Sequence, residues 1–232
     1  MGFPFAFGLA AVAFAITFIA TPFYAKRALA KGISGRDVNK PNRPRVAEMG
    51  GLAIFAGVAA SISLGILYLT FIDANFTLLT LSLAALAALS LIALIGVFDD
   101  LFKLTWKTKA LMPLAAALPL VAVKAGETVM NLPFLGDVNF GLFYTFILIP
   151  LGVTGAANAF NMSAGYNGLE AGIGFIVSAA LLSIAVASGS TAAVVVLAAL
   201  AGACLAFLKF NWFPARVFPG DVGTLVVGVG IA

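Results

Sequence analysis

Phe76-Thr-Leu-Leu-Thr-Leu-Ser-Leu-Ala-Ala-Leu-Ala-Ala-Leu-Ser-Leu-Ile-Ala-Leu-Ile-Gly-Val-Phe98 runs for 23 residues without a charge and then meets Asp99-Asp100. At about 1.5 Å per helical residue, a run of this length crosses a hydrocarbon core about 30 Å thick. The pattern recurs on both sides of it. Phe3 to Tyr24 and Gly50 to Ile72 precede it; Phe143 to Ala157, Gly172 to Ala187 and Thr191 to Leu208 follow. Ala110 to Val123, which holds Pro113 and Pro119, is the shortest of the series. These runs predict an all-α, polytopic transmembrane helix bundle with seven crossings, forming one membrane-embedded domain over residues 1–232.

Composition agrees with that reading. The chain is 62% hydrophobic and 9% charged, whereas soluble domains carry about 25% charged residues. Too little polar surface remains to cover a water-soluble globule. No charge block or low-complexity tract points to disorder. The chain has no histidine, which excludes imidazole metal ligands, histidine general bases and the Ser-His-Asp triad. The single cysteine, Cys204, lies in an apolar run; it excludes an intrachain disulfide and reads as a small packing residue. Chemistry is left to carboxylates, amides, lysine, arginine and a bound cation.

The charges orient the bundle. Twelve of the thirteen basic residues follow odd-numbered crossings, and Lys124 alone follows an even one. By the positive-inside rule the N-terminus is outside and the loops after crossings one, three, five and seven are cytoplasmic. No basic residue precedes the first apolar run, so a cleaved signal peptide is not expected. Gly126 to Gly141, with its Asn131-Leu-Pro and Gly136-Asp-Val punctuation, predicts a small outer hairpin between crossings four and five. From Asp221 to Ala232 the apolar run covers roughly half of a 30 Å core. It is expected to be a truncated eighth crossing, in a chain lacking its C-terminal spans.

Polar residues gather on the cytoplasmic side. Asp37, Glu48, Asp99, Asp100, Glu170 and Asp221 lie in or beside those loops, whereas Asp73, Glu127 and Asp137 lie outside. Asp99 and Asp100 end a helix, where the macrodipole is negative. A divalent cation, Lys109, or both would compensate them; the plainer alternative is a solvated helix end paired with neighbouring lysines. Asn158 and Asn161, three residues apart, share a helical face. With three glycines shortly after them they suit a nucleobase edge or a metal, or simply a capped helix break. Asp221, just before an apolar run, is either an N-cap or a cation holder. The basic loop from Ser34 to Gly51 enforces topology, attracts anionic lipid or holds a phosphate.

Three stretches, in this order along the chain, together with the Asp99-Asp100 loop carry a resemblance. They are Asp37-Val-Asn-Lys to Glu48, Asn158-Ala-Phe-Asn161-Met-Ser-Ala-Gly165-Tyr-Asn167-Gly168-Leu-Glu170-Ala-Gly172, and Asn211-Trp-Phe-Pro-Ala-Arg216-Val-Phe-Pro-Gly220-Asp221. The chain resembles the polyprenyl-phosphate N-acetylhexosamine-1-phosphate transferases, and within them the UDP-GlcNAc–dolichyl-phosphate GlcNAc-1-phosphotransferases of eukaryotes and archaea. It departs from bacterial members at Ala164-Gly165-Tyr166-Asn167-Gly168, where those usually carry Asp-Gly-x-Asp-Gly.

The resemblance implies an activity: transfer of GlcNAc-1-phosphate from UDP-GlcNAc to a dolichyl or other polyprenyl phosphate, with release of UMP. It implies Mg²⁺ held by Asn161 and Asp221, and Lys109 on substrate phosphate. Asn167 is expected to read uracil, with Glu48 near the uridine and Asn158 at the substrate. Asp99 and Asp100 are expected beside the lipid phosphate. Membrane lipid is the expected surrounding, a homodimer is an admissible assembly, and no nucleic-acid partner is expected. Another UDP-N-acetylhexosamine, or undecaprenyl phosphate as acceptor, is the nearest alternative. A transporter would instead place ionisable groups along a mid-membrane path.

Overall fold

The computed structural model describes residues 3–232. Among the described residues, six helices are long and apolar enough to cross a membrane. They are α1 (Phe3–Ala30), α2 (Gly51–Phe71), α3 (Phe76–Phe102), the segment Gly141–Met162, α8 (Leu169–Ser188) and α9 (Thr191–Asn211). The segment Gly141–Met162 is not uniform: α6 (Gly141–Phe143) passes through a π-helical turn (Tyr144–Leu148) into α7 (Ile149–Met162). Pro150 enters at the first turn of α7, where its missing N–H is tolerated.

The remaining predicted crossing is built from two pieces, α4 (Trp106–Leu111) and α5 (Pro113–Ala122). Pro113 separates them, since it can supply no helical N–H. At Lys109 the pair begins beside Asp99 and Asp221. At Leu120 it shares a cavity with Leu81 near the start of α3 and Ser190 between α8 and α9. The pair therefore joins the two ends of the bundle, and the alternation read from the basic residues is preserved in the fold.

Small residues set the packing. α10 (Gly220–Ile231) is the centre, with Val222 through Val229 all buried. A Cβ placed on Gly51 of α2 would strike the backbone of Gly223, and one on Gly96 of α3 would strike the backbone of Val222. On Gly228 it would lie 2.8 Å from the Ala156 carbonyl oxygen of α7. Inside lipid the hydrophobic effect gives helices no mutual attraction, so close backbone approach and dispersion hold them together. Ala232, just past the far end of α10, is exposed and lines a cavity with Leu120, Gly126 and Ser190.

Two antiparallel hairpins complete the fold. The predicted outer one is present: β3 (Val129–Leu132) pairs with β4 (Gly136–Asn139), Val129 opposite Asn139. The other was not legible in the sequence. β1 (Ser34–Arg36) pairs with β2 (Arg45–Ala47) inside the Pro-rich first loop. Ala47 then bridges to Val217, and the Phe218 N–H donates to the Ala47 carbonyl at 2.8 Å. The first inner loop is thereby stitched to the last.

Candidate active site

Asp99 ends its own helix. Its Oδ1 accepts the Leu104 N–H at 3.1 Å, while Lys103 adopts a left-handed conformation at φ 53°. The chain then restarts at α4, where Thr105 accepts from Thr108 N–H. One turn later Lys109 points back. Its Nζ lies 2.7 Å from Asp99 Oδ2 and 2.9 Å from Asp221 Oδ2. Asp99 is only 2% exposed, and a buried carboxylate without a partner would be costly. The Lys109 ammonium is that partner, and it shares its charge between Asp99 and Asp221.

Asp100 is compensated differently. Its two oxygens accept the N–H groups of Asp221 (2.9 Å) and Val222 (3.1 Å), at the start of α10. The negative C-terminal end of α3 is thus answered by Lys109 and by the positive end of another helix. Asp221 is not an N-cap: Pro219 occupies that position, and Asp100 satisfies the first-turn donors from outside. Gly220 makes the approach possible. Its φ is +68°, and a Cβ there would stand 2.7 Å from Asp100 Oδ2.

Asn161, at the end of α7, accepts from Thr224 Oγ1 at 2.7 Å. Thr224 Oγ1 also contacts the carbonyls of Gly220 and Asp221, so it couples Asn161 to the first turn of α10. Asn167, on the loop between α7 and α8, donates to Asp37 Oδ2 at 3.2 Å and accepts the Ala215 N–H at 2.9 Å. Asp37 is also paired with Lys40 at 2.7 Å. Burial tends to raise its pKa, but Lys40, Asn167 and the Asn39 N–H outweigh burial and hold the carboxyl below its usual range. The buried Asn211 fixes the neighbouring backbone by accepting the Gly168 N–H and donating to the Val217 carbonyl.

These segments close around a cavity of about 310 Å³, at the lower end of ligand-site volumes. Its walls come from all four predicted cytoplasmic loops. Glu48, Asp100, Asn161, Asn167 and Asp221 line it; Asp99 and Lys109 stand behind Asp221 and reach the cavity through it. Asn158 does not line it. Its amide donates to the carbonyls of Thr154 (2.9 Å) and Ala110 (3.2 Å), tying α7 to α4 one turn below the rim. The expectation that Asn158 meets substrate finds no support in this geometry, because a shared helical face does not put both amides at the mouth. Sequence reasoning assigned no role to Thr224, Asn39 or Asp37 here. The i, i+3 spacing from Asp221 was the available signal for Thr224.

Five carboxylates and two basic side chains line the cavity, a charge balance that favours a cation. Among the described residues no group of three or more His, Cys, Asp or Glu side chains is arranged to hold an ion unaided. Mg²⁺ takes one or two carboxylates and completes its octahedron with substrate phosphates and water. Lys109 occupies Oδ2 of Asp221, leaving Oδ1 without a hydrogen-bond partner among the described residues. The Asn161 amide oxygen is bound to Thr224 in the same wall. The donor set fits the ion.

Comparison with known proteins agrees with the four-loop resemblance. The sequence profile of glycosyl transferase family 4 matches residues 82–232. A Sulfolobus acidocaldarius protein provisionally named UDP-N-acetylglucosamine–dolichyl-phosphate N-acetylglucosaminephosphotransferase is 37% identical, over 94% of this chain and 66% of its own length. Its Saccharolobus solfataricus counterpart of the same provisional name is 38% identical, over 95% and 69%. A phospho-N-acetylmuramoyl-pentapeptide-transferase of Clostridium perfringens is 38% identical, over 60% of this chain and 47% of its own. The chain spans about two thirds of the archaeal relatives' length and about half of the clostridial one's. With the profile covering more than half of the chain, and all four of its loops drawn to one cavity, the protein belongs to glycosyl transferase family 4.

Proposed function

We propose that this protein transfers GlcNAc-1-phosphate from UDP-GlcNAc to a dolichyl or related polyprenyl phosphate, at the cytoplasmic face of the membrane. The observation that carries the reading is the Asp99–Lys109–Asp221 ion-pair chain, joined to Asp100 and Asn161 at the rim of one cavity. The names of the archaeal relatives support the sugar nucleotide and the acceptor. The position of the cavity at one end of the bundle suits a reaction between a lipid-borne and a water-soluble substrate.

In the proposed reaction an oxygen of the lipid phosphate forms a bond to the β-phosphorus of UDP-GlcNAc. The bond from that phosphorus to the bridging oxygen breaks, and the electron pair leaves with UMP. A phosphate monoester is largely dianionic at pH 7, so the nucleophile needs little help from a base. Asp99 and Asp100 therefore act by holding Lys109 and the first turn of α10 in place. Lys109 supplies a fixed positive charge near the transferring phosphates, where charge stabilisation is the main catalytic device. Asp221 and Asn161 would hold Mg²⁺, which when bound would neutralise pyrophosphate charge. Asn167 and Glu48 would take the uridine.

The test is UMP release by the full-length protein in detergent or vesicles, with UDP-GlcNAc and dolichyl phosphate, with and without Mg²⁺. Product formation that stops on chelation is expected. Release only with UDP-N-acetylmuramoyl-pentapeptide or undecaprenyl phosphate would move the reading to the cell-wall branch, and solute uptake without UMP would overturn it.

A further inference from the structure

Asp37 lies outside the ion-pair chain, yet it is 1% exposed and touches the amide proposed to read the base. An asparagine side chain has two N–H donors and two oxygen lone pairs. Here one donor goes to Asp37 Oδ2 and one lone pair to the Ala215 N–H. An ionised carboxylate only accepts and a backbone N–H only donates, so the two partners admit a single orientation of the Asn167 amide. What remains free is one N–H and one lone pair, on a residue that lines the cavity.

That free edge has a chemical complement. Uracil presents an N3–H donor next to a carbonyl acceptor. Cytosine presents at the same positions an N3 acceptor next to an N4–H donor, the reverse order. A freely rotating amide would accept either base by turning over; a locked one accepts only one order. Asp37 is itself held, by Lys40 at 2.7 Å and by the Asn39 N–H at 3.2 Å. Asn39 in turn donates to the Gly165 carbonyl at 2.6 Å, bracing the loop that carries Asn167.

We infer that Asp37 is the positioning residue that sets pyrimidine specificity, locking the Asn167 amide so that it matches uracil and rejects cytosine. The inference rests on the proposed UDP-sugar function and deepens it.

The experiment measures kcat/KM for UDP-GlcNAc and CDP-GlcNAc in the full-length protein and in Asp37→Asn. An amide at position 37 can either donate or accept, so the lock is loosened without loss of size. The unaltered protein is expected to prefer UDP-GlcNAc by about 100-fold or more, since a site built on paired polar groups rejects mismatches strongly. Asp37→Asn is expected to lower that ratio by about threefold or more, with a raised KM for UDP-GlcNAc; a smaller change in the ratio overturns the inference. A merely structural role would lower both rates together and leave the ratio alone.

If Asp37→Asn does not fold, as judged by loss of cooperative thermal unfolding, competition by N3-methyl-UDP against the unaltered protein decides. Binding about tenfold or more weaker than UDP fits the locked orientation, and binding closer to UDP than that overturns it. Failure of the unaltered protein to bind any uridine nucleotide is a separate result, which removes the function proposed above and the inference with it.

Discussion

The two ends of this bundle hold themselves together in different ways. At the inner end, polar contacts join residues far apart in sequence: Lys109 to Asp221, Asn39 to Gly165, Asn167 to Asp37 and the Asp221 N–H to Asp100. At the outer end the described side-chain hydrogen bonds are local: Asn75 with Leu78, Asn131 with Asp137, Asn139 with Gly141. Local contacts satisfy turns and hairpins at little entropic cost. Long-range ones order several loops at once and persist only where packing already holds the helices in register. The inner end is built as a site, and the outer end closes a chain.

This contrast can be broken most sharply at Asp221. Asp221→Ala should lower UMP release by about 100-fold or more, a loss of the size seen when one charge-stabilising group is removed; turnover near that of the unaltered protein would remove Asp221 from the chemistry. Lys109→Met comes next, because it leaves Asp99 buried and unpaired. We expect a loss of about 3 kcal/mol of stability as well as activity, since breaking a buried pair strands a charge. Calorimetry should show part of it recovered when Asp99→Asn is added. If the double variant is no more stable than the single, the ion pair is not what holds α4 in place.

Gly96→Leu tests the packing beneath the site. Its added side chain would meet the backbone of Val222, and a cost of about 2 kcal/mol is expected from overpacking. Stability unchanged by the leucine would show that α10 does not need so close an approach.

A smaller effect is expected from Asp37 and pH. Its folded pKa is depressed below the ordinary 3.8. Its ionised form therefore contributes stability above that value, and the contribution is lost as pH falls through the lower folded pKa. The difference in unfolding temperature between the unaltered protein and Asp37→Asn should be flat from about pH 8 to 5 and shrink below about pH 4. A difference that grew on acidification would contradict the sign. Least of all, Asn131→Ala in the outer hairpin should change stability by at most about 0.5 kcal/mol and leave UMP release alone. A large effect there would erase the distinction between the two ends.

Much of the architecture was legible because membrane burial imposes a simple rule. Runs such as Phe76 to Phe98 have no stable alternative to a helix in lipid, and the lysines and arginines mark which loops share a face. The same rule carried the fourth crossing, although Pro113 splits it into two helices. The positions of Asp99, Asp100, Asn161 and Asp221 at helix ends were visible too, as was their convergence on one face.

Partnership was decided only in three dimensions. The sequence shows that an acid pair ends α3; it does not show that Lys109 takes Asp99 while the first turn of α10 takes Asp100. It places Asn158 and Asn161 on one face, but not that the first binds helix carbonyls and the second lines a cavity. It contains Asp37 without its hold on Asn167, and the first loop without its hairpin. Apolar periodicity and charge asymmetry are properties of a segment in its solvent, and each segment carries them alone. A hydrogen-bond partner more than a hundred residues away is a property of the packed whole, fixed when glycines such as Gly51, Gly96 and Gly220 let α10 reach its neighbours.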